Sequence, residues 1–278
     1  MDKGRKELIT ELAEKARQIR VHVVRMAGMS SCHTGGSLSI ADITAALYFH
    51  IMKVDPKNPE WEGRDYFVLS KGHTVPAVDA ALAMLGFFPS ETLVTHLELD
   101  SIIPGHACAK TTPGIDVSTG SLGHGLSISV GTALGIRMDG AENLVFVVLG
   151  DGELQEGSNW EAAMAAAHHK LDNLIAIVDR NLYQTGPTEQ MMALEPLAEK
   201  WKSFGWSVNV IDGHNMEEIV DALERVPFEK ARPSVIIANT IKGKGISFIL
   251  NRHLAQFDEE QLRAALQELG EPIHAAKE

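Results

Sequence analysis

The amino-acid sequence predicts an α/β fold, a doubly wound and mainly parallel sheet flanked by helices. Three observations predict it. Leu144 to Leu149 (LVFVVL) and Leu174 to Val178 (LIAIV) are unbroken apolar runs. A strand buried on both faces reads that way, because helices cover each side of a parallel sheet. One helical stretch, Asn159 to His169 (NWEAAMAAAHH), joins the two runs, and parallel neighbours need such a crossover. Helical and strand patterns also alternate along the chain, which argues successive βαβ units.

Each element has its own signal. Residues 5–28 predict a helix, because Leu8, Leu12, Ile19, Val23 and Met26 recur near helical spacing. Residues 40–52 predict a second helix with Ser39 as its N-cap. Asp65 to Leu69 is a short strand, residues 75–86 a helix of small residues, and residues 121–137 a Gly- and Ala-rich helix that can pack closely. After the central pair come a strand at Ser207 to Ile211, a helix near 216–225, a strand at Ser234 to Ala238 and a last helix near 258–269. No repeat, low-complexity linker or internal boundary is visible. Residues 1–278 therefore read as one domain, with 1–18 opening the first helix and 258–278 forming a C-terminal helix and tail. Met191-Met192 and the pair Trp201 and Trp206 read as core or interface. Asp212-Gly213-His214-Asn215 reads as a strand-to-helix turn and cap, and the acidic stretch from Asp258 as a solvated helix face.

Composition narrows the function. Of 278 residues, 45% are hydrophobic, enough for a core and too many for a disordered chain. The net charge of −12 speaks against a nucleic-acid partner, which needs a basic face. No run of 18 apolar residues occurs, so no membrane span is expected. The charged N-terminus lacks the apolar core of a secretory signal. Two cysteines, Cys32 and Cys108, make no disulfide framework. A cytoplasmic location is the default. The acidic sum still admits an anionic ligand, which backbone N–H groups, helix N-termini and a bound cation can hold.

The candidate chemistry lies at strand ends, where open α/β sheets bind ligands. Gly150-Asp151-Gly152 follows the first buried run, so Asp151 stands as a strand-end carboxylate for a hard cation. Asp179-Arg180-Asn181 ends the next run, with 28 residues between Gly152 and Asn181. One crossover fits that length and brings the Asn181 amide near Asp151. Mg²⁺ takes oxygen ligands, commonly one or two carboxylates with ligand phosphates, so a diphosphate–Mg²⁺ site is physically reasonable. A Gly-Asp-Gly alone is usually just a turn; its placement between a buried strand and a helix lowers that reading. Four histidines, His33, His73, His106 and His124, sit in Gly-rich turns. Such a set suggests side chains converging on a polar ligand, to which imidazoles donate hydrogen bonds or protons near neutral pH.

Together these segments resemble the transketolase family, in its N-terminal, diphosphate-binding domain, from about Ile19 to Gly270. The Gly-Asp-Gly with a later Asn is general to thiamine-diphosphate enzymes. The choice within them comes from Cys32-His33-Thr34-Gly35-Gly36, the run Arg64 to His73, Pro104-Gly105-His106, the run Ser118 to Gly125, and the run Thr240 to Gly245. The resemblance implies the thiamine-diphosphate-binding fold and that cofactor, with Mg²⁺ (Ca²⁺ or Mn²⁺ substituting). It implies Asp151, the Asn181 side chain and the Tyr183 backbone carbonyl as metal ligands. Gly150 belongs to the cofactor-binding motif, and the Gly152 N–H is expected to face the diphosphate. His73 matches a histidine at the phosphates, Gly120 and Leu122 match positions lining the thiamine rings, and Glu156 matches an acidic residue linking two cofactor sites across a dimer. His33, His106 and His253 match histidines facing the sugar, His253 also reaching the cofactor, although the loop before it is short and lacks the usual Trp.

The implied activity is transfer of a two-carbon ketol unit from a ketose or its phosphate to an aldose or its phosphate. The chain ends after the first domain, so the resemblance points to the N-terminal subunit of a split enzyme working with a separate C-terminal subunit, two of each. Thr34, Ser121 and His124 depart from the family pattern; Pro is common at the first two positions, so their loops are expected to be less stiff. His124 is equally readable as structural, and Lys242 and Lys244 reach either phosphate or a partner chain. The competing readings are a non-catalytic subunit of the same fold, another thiamine enzyme such as a deoxyxylulose-phosphate synthase or a dehydrogenase subunit, and a zinc hydrolase using Cys32, His33, His106 and Cys108, whose spacing fits zinc poorly.

Overall fold

The computed structural model describes residues 3–271. Five strands form one parallel sheet in the order β1-β2-β3-β5-β4: β1 (Tyr66–Leu69), β2 (Val145–Gly150), β3 (Leu174–Arg180), β4 (Ser207–Asp212) and β5 (Ser234–Asn239). The expected doubly wound α/β architecture is therefore the observed one. The register pairs Gly150 with Asp179, and Asp179 with Ala238. The ends of β2, β3 and β5 thus lie level, and the residues after them open onto one side.

The apolar runs divide between the faces. Phe146, Val148, Ile175 and Ile177 pack toward a core built by α1 (Lys3–Met29), α3 (Ala41–Ala46), α4 (Val75–Leu85) and α9 (Met216–Glu224). Val145, Val147, Leu174, Ala176 and Val178 pack toward α5 (Gly125–Met138), α6 (Gly157–His168) and α8 (Leu197–Ser203). This strict alternation is the period of a strand with both faces covered. Trp201 and Trp206 are fully buried on the second side, where Trp206 Nε1 donates to the Ala163 carbonyl at 3.0 Å. Asn215 caps α9 by accepting from Glu217 and Glu218 N–H, and Asp258 caps α10 (Glu259–Glu268) in a reciprocal capping box with Gln261.

Four expectations need correction. The segment expected as one helix over 40–52 starts at Ala41 as α3 and widens into a π turn at Leu47–Ile51, and a separate short helix, α2 (Thr34–Ser39), precedes it. Ser39 closes α2 and is no N-cap; its hydroxyl donates to Gly36 O and to Asp179. The helix expected from residue 121 starts at Gly125, because Gly123 adopts φ +90° and turns residues 121–124 out as a loop. Met191 and Met192 are 60% and 52% exposed, so they are not core. A short α7 (Thr188–Met191) and α8 carried no clear periodic signal in the sequence.

Candidate active site

A cavity of about 390 Å³ opens at the carboxyl ends of the strands, and its wall includes His33, His73, His106, Gly120, Leu122, Gly150, Asp151, Gly152, Glu156, Asn181, Tyr183 and His253. Every site residue read from the sequence is among them. His124 is not; it stands exposed at the position before α5.

The strand ends position the polar floor. Asp151 follows β2, and its N–H donates to the Asp179 carbonyl across the β2–β3 pair at 3.2 Å. Its Oδ2 accepts from Leu182 N–H at 2.7 Å and from Arg180 at 3.0 Å, which ties it to the chain after β3. Leu182 sits at φ +65°, uncommon for a side chain that large. This turn sets Tyr183 beyond Asn181 on the cavity wall. Burial, and then the neighbouring Asp179 charge, raise the Asp151 carboxyl above the ordinary aspartate range, with Arg180 pulling the other way. A cation beside it would offset both. The Asn181 Oδ1 accepts from Tyr183 N–H at 3.0 Å. The Gly152 N–H, which lines the cavity beside Asp151, donates to Asp151 Oδ1 at 2.7 Å.

The histidines converge from distant segments. The His33 ring lies 5.0 Å from His73, 5.6 Å from His106 and 4.9 Å from His253, centre to centre. Gly35 permits this approach, since a Cβ there would overlap the Arg252 carbonyl oxygen. Gly72 has the same role toward the Thr119–Gly120 segment, where a Cβ would meet the Thr119 backbone at 2.5 Å. Burial, then the neighbouring His253 and His106, push His33 down to about 4. Burial and Lys71 push His73 down to about 2, and burial followed by Lys242 lowers His253. These three imidazoles are therefore neutral near pH 7, able to donate from one ring nitrogen and accept at the other.

Sequence reasoning assigned no role to four charged side chains in or behind the cavity wall. Lys71 and Asp179 form a buried ion pair. Glu153 is buried, with Ser70, Gly123 N–H and Gly150 N–H donating to it. Lys242, left open between two roles, is buried with its ammonium on the Tyr183 and Gln184 carbonyls at 3.2 and 2.8 Å and 3.2 Å from His253 Nδ1. Burial and Lys71 lower it to about 8. The signal for all four was a charged residue inside an otherwise apolar or Gly-rich junction.

The donor types suit a hard divalent cation: a carboxylate, an amide oxygen and a backbone carbonyl belong to residues lining one cavity, with Arg180 and Lys242 now holding Asp151 Oδ2 and the Tyr183 carbonyl. A zinc site is not assembled. Among the described residues no three His, Cys, Asp or Glu side chains are grouped to hold a metal, and Cys32 is buried with its thiol pushed up to about 12 by desolvation. Among the described residues no helix is long and apolar enough to cross a membrane.

Comparison with known proteins agrees with this geometry. Residues 9–275 match the family described as transketolase, thiamine diphosphate binding domain. The 6-deoxy-6-sulfo-D-fructose transketolase subunit SqwG of Clostridium sp. (strain MSTE9) is 50% identical over 241 residues, 85% of this chain and 88% of that protein. An apulose-4-phosphate transketolase subunit from Phocaeicola vulgatus is 43% identical over 265 residues, 94% of this chain and 93% of that protein. The chain spans 44% of the longer Pongo abelii transketolase, at 36% identity. Among solved structures, transketolase from Leishmania mexicana superposes with a TM-score of 0.87 at 29% identity, covering 94% of this chain and 41% of that one. The chain belongs to the transketolase family and carries its thiamine diphosphate-binding domain.

Proposed function

We propose that this chain is the cofactor- and metal-binding subunit of a split transketolase that moves a two-carbon ketol unit from a ketose to an aldose. One observation carries the reading: Asp151, Asn181 and Tyr183 share a cavity wall with His33, His73, His106 and His253. Asp151 Oδ1 and Oδ2, Asn181 Oδ1 and the Tyr183 carbonyl are the atoms offered to Mg²⁺, and His73 is offered to the diphosphate. Gly120 and Leu122 form the apolar side that a thiamine ring system needs, and Leu122 is 37% exposed on this chain. When bound, thiamine diphosphate supplies the electron sink that lets a carbon–carbon bond beside a carbonyl break.

The chain's own part is positioning and proton movement. His33 and His253, neutral near pH 7, can take a proton from a sugar hydroxyl or return one, and His106, exposed in the cavity lining, can bind a hydroxyl. Glu156 lies exposed at the cavity rim, where a second subunit can reach it. A partner subunit is supported by the length match to relatives named as subunits, and two copies of each chain in the cytoplasm is the assembly proposed. Those relatives are named for a sulfonated ketose and a sugar phosphate, so sugars with a terminal anionic group are the substrate class proposed here.

The test is an assay of the chain purified with the partner captured from its native lysate, given thiamine diphosphate and Mg²⁺. Ketol transfer from a phosphorylated or sulfonated ketose to an aldose is the expected result. Turnover of pyruvate instead would assign another thiamine enzyme, and no turnover with bound cofactor would favour a non-catalytic subunit.

A further inference from the structure

The Asp179 carboxylate, on β3 behind the cavity, is fully buried. Its Oδ2 accepts from Lys71 Nζ, from Ser39 Oγ at 2.8 Å and from Asn181 Nδ2 at 2.6 Å. Its Oδ1 accepts from Thr240 Oγ1. The donors come from different places in the chain: the end of α2, the residues after β1 and β5, and the turn after β3. Asp179 is not part of the cavity wall. It therefore acts on a bound ligand only through its partners.

We propose that Asp179 is a positioning residue that sets the orientation of the Asn181 amide. An asparagine amide has two nearly isosteric orientations, one end donating and the other accepting. An oxygen that already faces an ammonium and a hydroxyl can only accept, so the amide must turn its NH₂ toward Asp179. Oδ1 then points the other way, where it accepts from Tyr183 N–H at 3.0 Å and keeps a lone pair for a cation. In the reversed orientation the NH₂ would face the cation and repel it. Lys71, also donating to the Gly36 carbonyl at 3.2 Å, supplies the counter-charge that lets a carboxylate remain in this buried place.

This inference rests on the proposed metal role of Asn181. Partners that orient metal ligands are commonly worth roughly 10–100-fold in metal affinity. A carboxylate at position 181 would need no orientation, since both of its ends are oxygen. That distinguishes orientation from simple structural support.

The experiment measures Mn²⁺ affinity by electron paramagnetic resonance, in the presence of thiamine diphosphate, on the chain with its partner subunit. Asp179→Asn is expected to weaken Mn²⁺ binding about 10–100-fold. The exchange variant Asp179→Asn/Asn181→Asp is expected to recover most of that loss, with the amide and the carboxylate having traded places. Circular dichroism and the thermal midpoint report the fold of each variant. If Asp179→Asn does not fold, Lys71→Met/Asp179→Asn removes the whole buried ion pair, and the same loss of Mn²⁺ affinity is expected in a folded protein. Unchanged affinity in a folded Asp179→Asn variant would overturn the proposal, as would an exchange variant no better than the single one. Absence of Mn²⁺ binding by the unaltered protein would instead overturn the metal assignment itself.

Discussion

Asp79 and Asp179 are both fully buried, one in the helix layer and one beneath the candidate site. Asp79 lies in α4 among Val75, Ala77, Val78 and Leu82, and among the described residues neither of its oxygens has a hydrogen-bond partner. Burial alone raises its carboxyl well above the ordinary aspartate range. Burial also acts on Asp179, but Lys71, with Thr240 and Ser39 donating, outweighs it and holds that carboxyl below the ordinary range. The difference teaches how this molecule handles buried charge. At Asp179 the chain keeps a charge and surrounds it with donors. At Asp79 it supplies none, and burial then favours the neutral carboxyl.

Removing a partner from the satisfied carboxylate should have the largest effect on stability. Lys71→Met leaves Asp179 without its counter-charge, and a loss of about 3–5 kcal/mol is expected in urea unfolding. A loss below about 1 kcal/mol would break the comparison, because the two aspartates would then be equally unsupported. The smaller effect has the opposite sign. Asp79→Asn should stabilise the protein by about 1 kcal/mol at pH 8, because the amide cannot ionise. The sign follows from linkage. A carboxyl whose folded pKa is raised binds protons more tightly in the native state, so stability is lost as pH climbs from the unfolded value near 3.8 toward the folded one. The gap between Asp79→Asn and the unaltered chain should shrink toward pH 4, and unfolding at several pH values checks it.

The same contrast explains what the sequence made legible. β2 and β3 were readable because burial on both faces forces continuous apolar runs, and Asp151 and Asn181 because they follow those runs at one-crossover distance. The short α2 that ends at Ser39 was not, because Ser39 is fixed by contact with Asp179, 140 residues away in the chain. Lys71 and Asp179 looked ordinary for the same reason: their partnership spans 108 residues. The loop at 121–124 was mistaken for helix because it runs directly into the Gly- and Ala-rich α5 and only the positive φ of Gly123 ends the helical path. Asp79 gave no warning either, since a lone acidic residue in a small-residue helix usually faces water.

The central claim is that the ends of β2 and β3 form a divalent-cation and diphosphate site. Mn²⁺ titration of the chain with its partner, with and without thiamine diphosphate, tests it beside Asp151→Ala. The Arg180 guanidinium keeps Glu189 and Glu195 as partners at 2.6 and 2.8 Å in that variant, so the fold is expected to persist. The account predicts Mn²⁺ binding that thiamine diphosphate strengthens in the unaltered protein, and no measurable binding of either in a folded Asp151→Ala variant. Retained Mn²⁺ and cofactor affinity in that variant would contradict it.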